Sequence, residues 1–314
     1  MSPPEDTQNT TESTDAIDTD PHVKRLAVGE PAMIIDRKNR RYLLYLDEGR
    51  RFKLRGGYID CDKVIGMAPG RRIESSSGEV LALYRPTLEE YTLLMTRGAQ
   101  IISPKDVAQI VHWGDIFPGA FVVEAGFGSG ANTLGLLRAV GSEGRVLAFE
   151  LREDFMNNGR KNIARWPEKL EDRLEVRLED VHEKLGTLSG VDRIVLDLPD
   201  PWNALEGAAT ALKPGGMIIA YSPQVRQMDR FLLGIHDQPE FAEPEMTEVI
   251  VRPWIVDHAR MRPELRIVGH TGFLARARRR MSKKSLREFE EGRGSTASEP
   301  PTDDRPSTDQ TDLT

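Results

Sequence analysis

The stretch that most constrains the fold of this chain begins with an apolar run at residues 121–123 and breaks into Gly126, Gly128 and Gly130. The apolar run predicts a buried strand, and the periodic apolar residues over 134–140 predict a helix. A strand, a glycine turn and a helix in that order are typical of the first unit of a nucleotide-binding α/β domain. Glycines let the backbone turn sharply and approach a ligand without Cβ atoms in the way. The free N–H groups at the start of the helix can bind a carboxylate or a phosphate.

An acidic residue lies about 20 residues after the glycine turn, as nucleotide-binding domains require. Residues 144–149 predict the second strand, and Glu150 ends it, where a carboxylate binds ribose hydroxyls. Both NAD and S-adenosylmethionine (SAM) contain that ribose. The spacing of Gly126, Gly128 and Ala131 also fits the dinucleotide pattern, and a glycine turn without any ligand is the structural alternative. The choice between the two cofactors therefore depends on the rest of the chain.

Strands and helices alternate through the following hundred residues. Further strands are predicted at 174–178, 191–197 and 217–221, with helices at 154–166 and 204–212. This alternation predicts an α/β fold with a Rossmann-like, doubly wound sheet. Ligands bind beyond the carboxyl ends of the strands in such sheets. Asp180 and Asp197 each lie at the carboxyl end of a predicted strand, as the glycine turn and Glu150 do, so we expect these groups to lie together.

A small β domain is predicted before the doubly wound sheet, over residues 23–85. Turn signals separate short strands at 33–35, 42–45, 51–54 and 80–84. The domain is rich in Lys and Arg, which either form the solvated face of a small sheet or contact nucleic-acid backbone. A linker with two helices follows, the first capped by Thr87 and the second over 107–113. We expect its polar and basic segment to border the cofactor cleft.

The net charge of −7 is concentrated at the two ends of the chain. Residues 1–22 contribute −6 and residues 283–314 contribute −3, so the interior is slightly basic at +2. A basic interior permits a polyanionic partner. Both ends contain few apolar residues and are predicted to be disordered. The expected division of the chain is therefore a tail over 1–22, a β domain over 23–85, a main domain over 86–281 and a tail over 282–314.

Composition excludes several other classes of protein. The single cysteine, Cys61, rules out an internal disulfide framework and a cysteine cluster for zinc. The six histidines show no ligand spacing, so we assign no metal. No apolar run approaches the length that spans a bilayer, and the start of the chain lacks the basic and apolar regions of a secretory signal. We expect a cytoplasmic protein without a membrane partner.

Several segments together resemble class I SAM-dependent methyltransferases and, more closely, the TrmI family of tRNA (adenine-58-N1)-methyltransferases. The segments shared with SAM-dependent methyltransferases in general are Glu124-Ala-Gly-Phe-Gly-Ser-Gly, Glu150, Glu179-Asp180-Val181, Asp197-Leu-Pro-Asp-Pro-Trp202 and Lys213-Pro-Gly-Gly216. The more specific segments are Arg97-Gly98, Gln100, Pro104-Lys105-Asp106, Asp197 with Pro201-Trp202, Arg252-Pro-Trp254 and Gly269-His-Thr-Gly-Phe-Leu274. The resemblance covers about residues 25–281.

The resemblance implies a SAM site and a catalytic carboxylate. The residues implied to bind SAM are Gly126, Gly128, Ser129, Gly130, Ala131 and Asn132 around the methionine part, Glu150 at the ribose, Phe155 near the adenosine, Asp180 and Val181 at the adenine edge, and Asp197 at the methyl-transfer point. Asp197 is also implied to act on the N6 amino group of adenine 58 in the T-loop, as a hydrogen-bond acceptor or a general base. The implied substrate is tRNA, and the implied assembly is a homotetramer.

The sequence departs from the family pattern at a few positions. Ser103 stands where many members have an aromatic residue or histidine, Phe127 replaces a small residue, and residues 221–224 differ from the commoner continuation. Two alternatives stay open: a methyltransferase for a small molecule or a protein, and a non-catalytic tRNA-binding subunit. An NAD dehydrogenase would share the glycine turn, but no proton-transferring His or Tyr is evident beside residues 197–202.

Overall fold

The computed structural model describes residues 22–256 and 260–281. The predicted tail over 282–314 lies outside these residues, as does the tail over 1–22 except for His22. Short antiparallel strands form the small β region before the main sheet, as predicted. They are β1 (Pro31–Ile35), β2 (Arg41–Tyr45), β3 (Arg51–Leu54), β4 (Gly57–Asp60), β5 (Arg71–Glu74) and β6 (Val80–Tyr84). One sheet has the order β2-β1-β6-β5, and β3 pairs with β4 as a separate hairpin.

The main sheet has seven strands within the described residues, in the order β12-β15-β11-β10-β7-β8-β9. Its strands are β7 (Phe121–Ala125), β8 (Arg145–Glu150), β9 (Leu174–Leu178), β10 (Val191–Leu196), β11 (Leu212–Ser222), β12 (Phe241–Glu248) and β15 (Phe273–Arg279). Strands β7 to β11 are parallel, whereas β15 and β12 are added antiparallel at one edge. A short hairpin of β13 (Trp254–Val256) and β14 (Met261–Pro263) lies between β12 and β15 in the chain. The predicted doubly wound α/β fold is confirmed.

Helices cover both faces of this sheet because neighbouring strand residues point to opposite sides. Val122, Val195 and Ile219 pack into one core cluster, while Val123 and Ile194 pack into the other. The helices of the described residues are α1 (Leu88–Leu94), α2 (Pro104–Trp113), α3 (Ala131–Val140), α4 (Glu153–Ala164), α5 (Val181–Lys184), α6 (Leu205–Ala211) and α7 (Val225–Asp237). The chain leaves β7 toward β8 on one side and returns to β10 on the other. The strand order therefore reverses between β7 and β10, and a ligand cleft is expected at that point.

The small β region is joined to the main sheet by contacts of named side chains. The Arg165 guanidinium lies 4.1 Å above the centre of the Tyr45 ring, and Arg41 Nη1 lies 3.1 Å from Glu90 Oε1. Thr87 caps α1 as predicted, since its hydroxyl accepts a hydrogen bond from the backbone N–H of Glu90. These contacts place the basic strands beside the helices that border the cleft.

The C-terminal arginines have internal partners. Arg276 donates to Glu245 Oε1 at 2.7 Å, and Arg279 donates to the Ala209 carbonyl at 2.6 Å. Both arginines belong to strand β15 of the main sheet. These arginines therefore hold the edge of the sheet together.

Candidate active site

A cavity of about 490 Å³ opens where the strand order reverses. It is bordered by the turns that follow β7, β8, β9 and β10, because parallel strands end at the same edge of the sheet. The predicted site residues that line it are Gly126, Gly128, Ser129, Ala131, Asn132, Glu150, Phe155, Asp180, Val181 and Asp197. Gly130 does not line the cavity; it precedes α3 with φ 79° and packs on α4 from behind. The structure thus brings the predicted residues to one cleft.

The glycine turn has a shape that side chains would prevent. Gly126 has φ 92°, and a Cβ atom built there would lie 2.3 Å from the Asp197 carbonyl oxygen. The turn therefore passes directly against the end of β10. Phe127, the departure from the family pattern, is buried because Gly159 of α4 leaves room for its ring: a Cβ at Gly159 would lie 2.4 Å from it. The larger residue at position 127 is accommodated without opening the turn.

The Glu150 carboxylate organises the turns on its side of the cavity. Its Oε2 accepts a hydrogen bond from the Gly128 N–H at 2.9 Å. Its Oε1 accepts from the N–H groups of Leu151 at 2.9 Å and Arg152 at 3.0 Å. Charge-assisted bonds of this kind are stronger than neutral ones. Glu150 therefore ties the glycine turn to the start of α4 while its carboxylate still borders the cavity.

Glu124 is a site residue that the sequence interpretation left unassigned. It is 2% exposed at the end of β7, and its carboxyl accepts from Thr133 Oγ1 at 2.6 Å and from Asn132 Nδ2 at 2.9 Å. Burial raises its pKa to about 7, against the lowering effect of these two donors; the charges of Asp197 and Glu150 raise it further. The signal in the sequence was an acidic residue inside an apolar strand, directly before the glycines. Glu124 fixes the orientation of Asn132 from below the cavity.

Asn132 offers an acceptor to the cavity. Its Nδ2 is used by Glu124, whereas its Oδ1 is buried and has no hydrogen-bond partner among the described residues. A buried polar atom without a partner costs free energy. The cost is removed by a ligand that donates a hydrogen bond at this point, for which a cationic amine is well suited.

The turn after β9 provides polar groups at the far end of the cavity. Asp180 caps α5, since its Oδ1 accepts from the His182 N–H at 2.9 Å. The His182 ring lies 3.3 Å from Asp200 Oδ1, which links this turn to the loop after β10. Asp200 Oδ2 also accepts from Asn203 at 2.8 Å. His182 and Asp200 line the cavity but were not among the predicted binding residues.

Asp197 differs from the other carboxylates of the cleft. Its backbone N–H donates to the Ala125 carbonyl at 2.9 Å, but no side-chain or backbone group in the described part of the chain donates to its carboxylate. Burial, followed by the negative charge of Glu150, raises its pKa to about 7. The carboxylate therefore borders the cavity with its hydrogen-bonding capacity unused.

The linker before the glycine turn closes one side of the cavity, as expected from its position. Ser129 Oγ accepts from the Gly98 N–H at 3.2 Å and lies 3.4 Å from the Ala99 nitrogen, and residues 99–102 line the cavity. Asn162 of α4 donates to the carbonyls of Thr96 at 2.9 Å and Ser129 at 3.0 Å. These bonds join segments that are about thirty residues or more apart. Because contacts between distant segments place Gln100 and Ile101, the sequence alone could not assign either residue to the cavity.

A second cavity of about 980 Å³ adjoins the first, since Gln100 and Ile101 line both. Lys105 at the start of α2 and Thr271 line its wall, and Asp106 is buried behind them. Lys105 Nζ donates to Asp106 Oδ1 at 2.7 Å and to Thr271 Oγ1 at 2.6 Å, and Thr271 Oγ1 donates to Asp106 Oδ2 at 2.5 Å. Two motifs that have no role in generic SAM binding thus meet in one hydrogen-bonded cluster.

Carboxylates, amides and backbone groups line the first cavity together with His182, and Lys105 and His270 line the second. In the described ranges, no group of three or more His, Cys, Asp or Glu side chains is placed to hold a metal ion. No helix in residues 22–256 or 260–281 is long and apolar enough to cross a membrane. The cleft suits a ligand with a cationic amine, a ribose and an adenine-like edge, next to one free carboxylate.

Comparison with solved structures defines the class of fold. A SAM-dependent O-methyltransferase from Thermotoga maritima superposes with a TM-score of 0.77 and 31% identity, covering 82% of this chain and 96% of that one. The tRNA (m1A58) methyltransferase TrmI of Aquifex aeolicus superposes with a TM-score of 0.70 and 27% identity, covering 82% of this chain and all of that one. The fold is that of SAM-dependent methyltransferases.

Sequence comparison defines the family. The tRNA (adenine(58)-N(1))-methyltransferase TrmI of Thermus thermophilus is 37% identical over 257 residues, 79% of this chain and 96% of that protein. The tRNA (adenine(57)-N(1)/adenine(58)-N(1))-methyltransferase TrmI of Methanocaldococcus jannaschii is 32% identical over 78% of this chain and 94% of that protein. Residues 80–265 match the family described as tRNA methyltransferase complex GCD14 subunit, and residues 25–73 match the TrmI-like N-terminal family. The chain belongs to this tRNA methyltransferase family, which confirms the resemblance identified from the sequence.

Proposed function

We propose that this protein transfers a methyl group from SAM to N1 of adenine 58 in the T-loop of tRNA. The observation that supports this most is the Asp197 carboxylate, which borders the 490 Å³ cavity beside the glycine turn and has no hydrogen-bond donor among the described residues. The family membership and the names of the relatives support the choice of tRNA as substrate. We further propose that the chain is divided at residues 22, 85 and 281 and that the protein is cytoplasmic.

The residues around the cavity fit SAM. The unpartnered Oδ1 of Asn132 suits the ammonium of the methionine part, and Glu150 suits the two ribose hydroxyls. Asp180 and the backbone of Val181 suit the adenine edge, beside Phe155. The remaining proposed contacts are made by the turn and the first residues of α3, namely Gly126, Gly128, Ser129, Gly130 and Ala131, with Gly130 acting through the shape of the turn.

The proposed reaction needs no nucleophile from the protein. When bound, SAM supplies a methyl group on a sulfonium, whose sulfur keeps the electron pair of the broken carbon–sulfur bond. The attacking atom is N1 of adenine, whose lone pair is weak. The Asp197 carboxylate accepts a hydrogen bond from the N6 amino group, which raises electron density at N1 and stabilises the positive charge on the ring. Asp197 thereby also stands where a general base can take the N6 proton.

The substrate base is paired inside folded tRNA, so it must leave its stack to reach the cavity. Folded RNA of this kind is recognised largely by shape and phosphate contacts. We propose that the small β region provides such contacts. Arg51 and Lys53 of β3 and Arg55, the residue after this strand, are all exposed, and Arg51 lies 4.6 Å above the Tyr58 ring. These side chains are free to displace counterions from the RNA backbone.

We also propose that the protein assembles as a homotetramer. Between residues 250 and 268 the chain exposes Trp254 at 56%, Met261 at 74% and Leu265 at 86%. A two-stranded hairpin is marginally stable by itself, and monomers rarely expose extended apolar patches. Association through this segment would bury these side chains.

The experiment that tests the function is mass spectrometry of tRNA lacking the modification, after incubation with the protein and SAM. A gain of one methyl group at adenine 58 is expected. Asp197→Asn should lower single-turnover methyl transfer at saturating SAM by about 10²–10³-fold, the size of one lost transition-state contact. Binding of tRNA should change little, because phosphate contacts elsewhere dominate its affinity. A variant rate within a few-fold of the parent would leave Asp197 as a structural residue.

A further inference from the structure

The segment at residues 269–272 has a histidine whose two ring nitrogens both face acceptors. His270 Nδ1 lies 2.6 Å from Glu248 Oε1, and Nε2 lies 2.9 Å from the Pro223 carbonyl oxygen. A carbonyl oxygen only accepts hydrogen bonds, and so does an ionised carboxylate. A neutral imidazole has one N–H and would place its other nitrogen lone pair against an oxygen. With Glu248 ionised, this geometry favours the imidazolium, which has an N–H on each nitrogen.

His270 anchors residues 269–272, and Thr271 of this segment belongs to the hydrogen-bonded cluster with Lys105 and Asp106. The next residue, Thr271, binds Lys105 and Asp106 through its hydroxyl, and its carbonyl accepts from the Tyr221 hydroxyl at 2.7 Å. Gly272 packs against the Tyr221 ring, where a Cβ atom would lie 2.4 Å from the ring carbons. The segment from 269 to 272 is thus fixed on one side by α2 and β11, and on the other by His270.

This segment forms part of the wall of the 980 Å³ cavity. His270, Thr271, Lys105 and Tyr221 all line it, and it joins the cavity of Asp197 through Gln100. Lys105 also donates to the Val249 carbonyl at 2.6 Å, directly after Glu248. A shift of the 269–272 segment would therefore change the wall past which a polynucleotide reaches the methyl-transfer point.

We infer that His270 is a positioning residue for the tRNA substrate. As an imidazolium that donates to both Glu248 and the Pro223 carbonyl, it fixes residues 269–272 at the wall of the 980 Å³ cavity. This role rests on the proposed function for its kinetic consequence, but the protonation state and the fixed segment are properties of the protein alone.

The charged and titratable groups around His270 favour the imidazolium. Glu248 of β12 raises the pKa of His270 most, followed by the Pro223 carbonyl, while the charge of Lys105 on α2 lowers it. Lys105 is itself paired with Asp106 at 2.7 Å, and Tyr221 of β11 has a pKa raised by burial and is neutral. The positioning contact is therefore present below the raised pKa and is lost as the pH rises through it.

The protonation state is tested by NMR titration of the ring Cε1–H groups in full-length protein labelled in histidine, with His270→Gln identifying the resonance. His270 should titrate above its ordinary value of about 6.5. Glu248→Gln should return the midpoint toward that value. Glu245→Gln is the matched control, since Glu245 is on the same strand but pairs with Arg276 at 2.7 Å, and it should not move the midpoint. A wild-type midpoint at or below the ordinary value would overturn the inference.

The positioning role is tested by hydrogen–deuterium exchange and by kinetics. After correction for intrinsic rates, residues 269–272 should exchange faster in His270→Gln than in wild type or Glu245→Gln. The KM for tRNA should rise about 2- to 5-fold in wild type as the pH rises through the His270 midpoint, the size of one exposed charged contact. Below the midpoint His270→Gln should have a higher KM than the wild type, above it the two KM values should converge, and SAM affinity should be unchanged.

The outcomes separate the two proposals. If neither the wild type nor the variants methylate tRNA, the proposed function fails. The titration and the hydrogen–deuterium exchange still decide whether His270 fixes residues 269–272. If methylation occurs but His270→Gln keeps the wild-type KM and its pH dependence, the positioning role is wrong. Unchanged exchange of residues 269–272 in His270→Gln also contradicts it.

Discussion

Glu124 shows how one buried carboxyl can couple the stability of the fold to pH. Its pKa is raised by burial to about 7, well above the value of an unfolded glutamate at about 4.3. The folded protein therefore binds this proton more tightly than the unfolded chain does. Protonation stabilises the fold, so this contribution is complete below the unfolded pKa and is lost as the pH rises through the folded pKa. Thr133 and Asn132 lessen the loss because they donate to the ionised form.

Replacing Glu124 by Gln should remove that pH dependence. We expect Glu124→Gln to raise the melting temperature by about 2–6 °C at pH 8.5 and to change it little at pH 5, where the wild-type carboxyl is protonated. Glu175→Gln is the control, because Glu175 is exposed and pairs with Arg177 at 2.7 Å. Thermal unfolding followed by circular dichroism across this pH range measures the difference. An equal effect at both pH values would contradict the assignment of the slope to Glu124.

Glu150 has a structural role in addition to its proposed role at the ribose. Glu150→Ala should weaken SAM binding by about 1.5–3 kcal/mol, the range for hydrogen bonds to charged groups. Part of that loss comes from the three backbone N–H groups that the carboxylate now holds. Glu150→Gln keeps one acceptor oxygen and should lose less. Calorimetry that finds unchanged SAM affinity for the alanine variant would remove Glu150 from the site.

For single residues, the sequence was sufficient to predict a place in the cavity where the residue lies at the end of a strand. Gly126, Glu150, Asp180 and Asp197 each lie at or just after the end of a strand of the parallel sheet, and all of them line one cavity. His182 could not be found in this way, because its place beside Asp200 depends on how two separate turns pack. Glu124 had a visible signal, a carboxyl in an apolar strand, but its partners come from the following helix.

The glycine turn is the element whose shape most limits substitution. Gly126→Ala should weaken SAM binding at least about tenfold, because the new Cβ would meet the Asp197 carbonyl at 2.3 Å and displace the turn or β10. Gly119→Ala is a matched control: Gly119 has φ 90° but nothing within 4 Å of a built Cβ. It carries the backbone strain without the contact. Equal SAM affinity for the two variants, measured by calorimetry, would show that the close approach is unimportant.

Elements at the edge of the main sheet were the hardest to predict. Strand β12 reads Phe-Ala-Glu-Pro-Glu-Met-Thr-Glu and has few apolar residues, since it is an edge strand. Its proline is tolerated because an edge strand leaves some N–H groups unpaired. It pairs with β15, which lies some thirty residues further along the chain. The long amphipathic helix α7 before it was also left unassigned. Central strands such as β10 were predicted because apolar residues fill them on both faces.

Element boundaries changed where local rules competed. Helix α2 begins at Pro104, three residues before the expected start at Val107, because proline is favoured in the first helical turn. Ser103 precedes it in an extended conformation, as a residue before proline should. The strand expected over 217–221 begins at Leu212, because Leu212 already pairs with Val191 of β10; residues 213–216 form an irregularity before Met217 pairs with Arg193. These differences leave the site residues in place.

At the scale of the whole molecule, the exposed apolar side chains between residues 250 and 268 favour an assembly over a monomer. Trp254 and Met261 lie on the β13–β14 hairpin, and Leu265 follows it. Exposing such side chains opposes solubility as a monomer, while burying one large apolar side chain stabilises an interface by about 1.5–3 kcal/mol. The hairpin joins β12 to β15 at one edge of the main sheet. In the proposed homotetramer, a second copy of the chain covers this apolar surface.

Charges placed on this segment should therefore dissociate the assembly. We expect wild-type protein to elute with about four times the chain mass of 35.2 kDa in size-exclusion chromatography with light scattering. Trp254→Glu combined with Leu265→Glu should shift the mass toward a dimer or monomer, because a buried unpaired carboxylate is costly. Leu178→Glu is the control, since Leu178 is 45% exposed on β9, at the opposite edge of the sheet. It should keep the wild-type mass. A wild-type mass of 35.2 kDa would contradict the homotetramer, and a tetrameric double variant would place its interface elsewhere.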